Sequence, residues 1–211
     1  MDTVYFNGVA VRELGGILRG VSWTAPKKKT YIVDIPGADG ELDMASWFGG
    51  PRYEARTMTI ALEAAGGDAR KLWDRLAQSL YSGTHTITLS NDPGYYWRGD
   101  VQSIVASAGY PGEVVITVRV DPYKYAVSET VRDLAEAETD TAAEIPNMGS
   151  RVEIPTVTVT GDSLRIVCGE TVVNMTAGIY AVPELAVLPR STLQLHYTGG
   201  PGQIAVREAY L

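Results

Sequence analysis

The sequence predicts a mainly β protein of two domains. The first is a sandwich- or barrel-like domain carrying one α-helix, and the second a small antiparallel β-sandwich. Three observations predict it. Apolar and polar residues alternate over short runs through most of the chain, the period of half-buried strands. Only one segment, about Asp68 to Ser82, has helical spacing. After Ser150 the chain becomes a series of short Val-, Ile- and Thr-rich runs separated by turn residues, which suits a small sandwich. The expected divisions are 1–126, a stretch 127–150 that is an acidic linker or a first strand, and 151–211.

The elements follow in order. Val4-Tyr5-Phe6 and Val9-Ala10-Val11 flank Asn7-Gly8, the pair best suited to a two-residue turn that needs positive φ at both positions. Val21–Thr24 and Thr30–Val33 read as two strands joined by the charged loop Ala25-Pro26-Lys27-Lys28-Lys29. Tyr53–Leu62 alternates, with Glu54, Arg56, Thr57 and Thr59 on the polar side against Ala55, Met58, Ile60 and Leu62. In the helix, Asp68 is a suitable N-cap. Leu72, Leu76 and Leu80 fall four apart and make one apolar stripe with Trp73 beside it, so these four are expected in the core. Gly83 stands where a left-handed C-cap belongs.

Strands are expected at Thr84–Ser90, Tyr95–Val105 and Glu113–Val120, with Asn91-Asp92-Pro93-Gly94 as a turn. Beyond the acidic stretch come Val152–Thr160, Ser163–Cys168, Val172–Met175, Gly178–Val182, Ser191–Tyr197 and Gln203–Ala209. Thr160-Gly161-Asp162 and Gly199-Gly200-Pro201-Gly202 serve as turns.

Composition narrows the function. The 211 residues are 45% hydrophobic and 20% charged, as in an ordinary globular protein. No apolar run reaches the roughly 18 residues of a membrane span. Met1-Asp2-Thr3-Val4-Tyr5 lacks the basic and apolar regions of a signal peptide, so folding in a reducing cytoplasm and no membrane anchor are expected. The single cysteine, Cys168, excludes an intramolecular disulfide and any multi-cysteine metal site, and its apolar setting suggests a buried, inert thiol. A net charge of −7 disfavours gripping nucleic acid, which depends on Lys and Arg neutralising phosphates.

No chemistry declares itself. His85 and His196 lie in strand-like runs, and no HExxH, CxxC or Gly-x-Ser-x-Gly motif is present. Asp39, Glu41 and Asp43 alternate as spaced oxygen donors but lack the full calcium-loop pattern. Tyr95-Tyr96-Trp97 beside Asn91 and Asp92 suggests a sugar-stacking surface, although packing on the helix explains the aromatics better. No catalytic residue, metal or cofactor is expected.

The segment from Ile35 to Arg56 carries a family resemblance. Ile35-Pro36-Gly37 leads to Asp39-Gly40-Glu41-Leu42-Asp43, then Trp47-Phe48-Gly49 and Tyr53-Glu54-Ala55-Arg56. In order along the chain follow Ser82-Gly83-Thr84, Asp92-Pro93-Gly94-Tyr95-Tyr96-Trp97-Arg98-Gly99, Asp121-Pro122-Tyr123, Asn147-Met148-Gly149-Ser150 and the closing Val206–Leu211. This succession resembles the distal tail proteins of long-tailed, non-contractile phages. The closing segment departs from their pattern, with Arg207-Glu208-Ala209 in place of Tyr-Arg-x-Gly.

The resemblance implies a hexameric hub in the virion at the tail tip. Its first domain would form the ring, and its second would be galectin-like. It also implies partners: the tail tube protein, the tape-measure protein, and a tail-associated hub, fibre or receptor-binding protein. DNA would pass through the lumen without specific binding. Interface candidates are Pro26, Lys27, Lys28, Lys29, Asp39, Glu41, Leu42, Asp43, Trp47 and Phe48. Asp39, Glu41 and Asp43 are candidates for an acidic lumen wall. The alternative is a galectin-like carbohydrate-binding module recognising host-surface glycans, and a third reading is a glycosidase, given the plentiful but unplaced Asp and Glu.

Overall fold

The computed structural model describes residues 2–34, 36, 41–44, 51–107 and 112–211. The chain is mainly β and divides into two compact units, Met1–Lys124 and Tyr125–Leu211.

The first unit is a twisted antiparallel sheet with one helix on its face. Its strands are β1 (Val4–Phe6), β2 (Val9–Ala10), β3 (Gly16–Trp23), β6 (Arg56–Ala64), β7 (Thr84–Leu89), β8 (Asp92–Ser107) and β9 (Glu113–Val120), in the order β2-β1-β7-β8-β9-β6-β3. Two further short strands, β4 (Ile32–Asp34) and β5 (Glu41–Asp43), pair only with each other. Asn7 and Gly8, at φ 50° and 85°, make the tight turn between β1 and β2. Period-two alternation puts Met58, Ile60 and Leu62 of β6 and Val114, Ile116, Val118 and Val120 of β9 on one face, all at 0% exposure.

Helix α1 (Ala69–Leu80) covers that face with Leu72, Leu76 and Leu80, all buried. Trp73 packs at the edge and donates its indole N–H to the Ile104 carbonyl at 2.8 Å. Asp68 caps the helix by accepting from the Lys71 N–H at 3.1 Å, and that bond holds its carboxyl below the usual range. The cap is therefore present above the ordinary carboxylate range and fades as pH falls through the lowered value. The C-cap is Tyr81, in helical conformation; the left-handed Gly83 (φ 82°) comes two residues later and turns the chain into β7.

Three expectations in this unit are corrected. Val21–Thr24 and Thr30–Val33 are not paired: β3 pairs with β6 through Val21–Ile60 and Trp23–Met58, while Ile32–Asp34 pairs with Glu41–Asp43. The turn between β7 and β8 is Ser90-Asn91, and Pro93-Gly94 lies within β8 where the ladder shifts register, so the missing proline N–H breaks no ladder bond. Arg56 stands on the core side of β6, in phase with Met58, not on its polar side.

In the second unit, β10 (Lys124–Ala126) lies at its start, followed by β11 (Thr130–Leu134), β12 (Ala137–Asn147), β13 (Thr156–Cys168), β14 (Thr171–Ala181), β15 (Ser191–Gly199), β16 (Gly202–Val206) and β17 (Ala209–Tyr210). The acidic stretch 127–150 thus carries β11 and β12. β13 pairs with β14 on one side. On the other it pairs with β16 along its first half and β15 along its second. Ile145, Val157, Ile166, Leu185, Val187 and Ile204 are fully buried between the strands.

β13 and β14 run unbroken where turns were expected. Thr160-Gly161-Asp162 is a register shift inside β13, because Thr160 and Gly161 both donate N–H to the Pro201 carbonyl at 2.9 Å. A Cβ on Gly161 would come within 2.0 Å of the Gly200 carbonyl oxygen. Gly161→Ala is therefore expected to destabilise this unit by roughly 2–4 kcal/mol, seen as a lower denaturant midpoint.

Candidate functional site

The feature least explained by the fold itself is a projecting ribbon. β3 and β6 do not end their pairing at Trp23 and Met58. The Thr24 N–H donates to Thr57 O at 3.0 Å, Glu54 N–H to Lys27 O at 2.8 Å and Lys29 N–H to Arg52 O at 2.7 Å. Lys28 and Tyr53 form an antiparallel bridge, and Met44 N–H donates to Tyr31 O at 2.8 Å just before the β4–β5 pair. The described residues between 24 and 57 thus pair antiparallel and continue the sheet's edge outward. Their register follows from β3 and β6 being edge-side neighbours, so the chain extends the same ladder outward.

None of the ribbon's described residues between Thr24 and Ala55 is buried; Tyr31 is 60% and Ile32 52% exposed. Tyr53 anchors its base by meeting Tyr123 edge-on, with ring centroids 6.1 Å apart. A two-stranded ribbon is marginal in water unless a surface covers it. Of the sequence-predicted interface residues, Lys27, Lys28 and Lys29 are exposed on it and Pro26 is half-buried at its root. The backbones of Glu41, Leu42 and Asp43 form β5. Asp39, Trp47 and Phe48 lie outside the described residues.

Groups with possible chemistry are otherwise engaged. The Asn7 Oδ1 accepts from the Thr86 N–H at 2.8 Å, which turns the amide Nδ2–H toward His85 Nδ1 at 3.0 Å. That nitrogen must accept, so His85 Nε2–H donates to the Leu80 carbonyl at 3.0 Å and ties the hairpin tip to the end of α1. Asn7→Ala would leave the buried imidazole without a donor and put alanine, which tolerates positive φ less well than asparagine, at φ 50°. A loss of about 1–3 kcal/mol in thermal or denaturant unfolding is expected.

His196 Nδ1 lies 2.9 Å from Asp140 in an exposed pair. His196 stands opposite Val167, so the next residue, Cys168, faces the other side of the sheet and the two do not form a dyad. Cys168 is half-buried, not fully buried, since it ends β13; its thiol points to the Gln194 carbonyl at 3.5 Å.

Metal and sugar candidates find little support. Among the described residues no group of three or more His, Cys, Asp or Glu side chains is gathered for a metal. Trp97 is buried in the core and the Tyr95 ring is covered by Lys124 Nζ at 3.9 Å, so neither offers a free stacking face. A cleft of about 470 Å³ in the second unit is lined by Arg132, Ala142, Ala143, Glu144, Pro146 and Thr192, with no aromatic ring for a sugar to stack on. No helix among the described residues is long and apolar enough to cross a membrane.

The ribbon's path and the buried Arg56 escaped sequence reasoning. The period of a strand shows its faces but not its partner.

No protein-family model matches the chain, and no curated protein matches it in sequence. Its structure is similar to the crystal structure of the Dit protein of phage SPP1, described as a paradigm of the hub adsorption apparatus in phages infecting Gram-positive bacteria. The likeness covers 100% of both chains with a TM-score of 0.70 at 17% sequence identity. The fold implied by the ordered motifs is the fold found.

Proposed function

We propose that this chain is a structural virion protein, the hub at the distal end of a phage tail. It joins the tail tube and the tape-measure end to the baseplate or receptor-binding apparatus, and it is not an enzyme. The observation that carries this reading is the likeness of fold to a hub adsorption protein over the full length of both chains. Two further observations support it. The motifs that resemble distal tail proteins occur in order along the sequence. Among the described residues of the ribbon between Thr24 and Ala55 none is buried, which suits a part that packs on a neighbour in an assembly.

The assembly proposed is a closed ring of six copies. A contact between unlike patches repeats by rotation and closes in this way. Lys27, Lys28 and Lys29, exposed on the ribbon, belong to the proposed contact. The net charge of −7 per copy suits a lumen through which DNA passes without being held. Asp39, Glu41 and Asp43 remain candidates for that wall.

A gold-labelled antibody raised against the purified chain tests the placement. The label is expected at the distal tip of the tail in intact virions. Label confined to the head, or none on the particle, contradicts the reading.

A further inference from the structure

Three strands of the second unit have a free edge among the described residues. β11 pairs only with β16, β12 only with β15 and β14 only with β13. A free edge is a row of unpaired backbone groups, and native proteins guard it with charge or proline. β11 carries Arg132 and Asp133. β12 carries Glu138, Asp140, Glu144 and Pro146. β14, Thr171–Ala181, has 11 residues and neither a charge nor a proline among them. Val172 is 47% and Ile179 74% exposed on it.

The hairpin geometry says which groups this edge offers. Gly169, at φ 57°, and Glu170 join β13 to β14 in a two-residue turn with glycine at its first position. In such a hairpin the closing pair, Cys168 and Thr171, is hydrogen-bonded, and bonded pairs then alternate with non-bonded ones. Ile166–Val173 and Leu164–Met175 are therefore bonded pairs. Val172, Asn174 and Thr176 turn their N–H and C=O away from β13. The register shift of this ladder lies beyond Ser163–Thr176, so Thr171–Thr176 is an unbroken stretch of edge.

The complement of such a row is another extended backbone, added as a strand. On the inner face Met175 is buried in the core and Val173 packs at its margin. A strand laid on this edge covers both with its own inward side chains, which fall at alternate positions. Charge decides against the same strand of a second copy. Glu170 precedes β14 and Glu184 follows it, both exposed. Antiparallel self-pairing sets the Glu170 end against the Glu184 end, and parallel pairing sets like ends together, so carboxylates meet either way. A segment with Lys or Arg at its ends meets opposite charge there, on a chain whose net charge is −7.

We propose that the free edge of β14 takes up, as an added strand, an extended segment of a different protein, apolar at alternate positions and basic at its ends. This site stands apart from the ring, whose contact is placed on the ribbon of the first unit.

The test uses the full chain and a fluorescently labelled peptide, Lys-Val-Thr-Val-Thr-Val-Lys, as probe. Its anisotropy is expected to rise on titration with the protein. Asn174→Pro removes an outward N–H, where an edge strand tolerates proline. Val172→Lys supplies the missing guard. Each is expected to weaken binding at least about tenfold, while the melting temperature falls by a few degrees at most. Val131→Lys, on the guarded β11, is expected to leave binding unchanged. A probe with Glu in place of both Lys should bind several-fold more weakly at low salt, and the difference should vanish at high salt.

No binding at about 1 mM protein overturns the site. So does binding that ignores both β14 variants, or that Val131→Lys weakens as much as they do. If Asn174→Pro does not fold, Val172→Lys is read in its place. Equal binding of the two probes at low salt overturns the basic ends. Self-association of the wild-type chain that Val172→Lys abolishes overturns the different protein as occupant. A ring that forms in Val172→Lys as in wild type, with probe binding lost, is the expected result and keeps the two readings separate.

Discussion

Replacing residues 28–53 by an Asn-Gly turn is expected to leave a folded chain that no longer assembles. The bond between Lys27 O and Glu54 N brings the two ends within reach of a two-residue turn that continues the β3–β6 ladder. None of the described residues removed is in the hydrophobic core, so the melting temperature should change by a few degrees at most. What is lost is the surface proposed to lie on the neighbouring copy. Sedimentation at assembling concentrations should then show only the single chain. A deletion variant that unfolds would make the ribbon part of the fold, and one that assembles normally would place the contact elsewhere.

Leu76→Ala has the opposite profile. Leu76 is 0% exposed on the face of α1 that covers β6, β8 and β9. Removing its isobutyl group leaves a cavity, at a cost of about 2–5 kcal/mol. With two compact units, the change should appear in the transition of the first unit alone. A shift in melting of less than about one degree would mean that the stripe of Leu72, Leu76 and Leu80 is not holding the helix to the sheet.

The two predictions separate what sequence shows well from what it shows poorly. The helical stripe was legible because a spacing of four places residues on one face whatever they pack against. Asn7-Gly8 was legible because few residue pairs tolerate two positive φ angles. Pairing was not: the run Thr30–Val33 looked like the partner of Val21–Thr24 because it came next, whereas β3 finds β6 across the whole excursion. Gly161 looked like a turn because a glycine that permits a close backbone approach inside a bulged strand has the same local signature as one that reverses the chain. Arg56 was placed outward because a cation at a strand start is usually solvated. Its burial is a tertiary fact that no local pattern shows. The candidate interface was legible only as a long punctuated excursion. Its ladder of Lys27, Lys29, Arg52 and Glu54 depends on backbone pairing that no residue type there announces.

The central claim is that this chain is built to close into a ring. Native mass spectrometry of the purified protein, alone and with its tail tube protein, tests it most directly. A single closed species of six copies is predicted. A strictly monomeric chain under both conditions would contradict it.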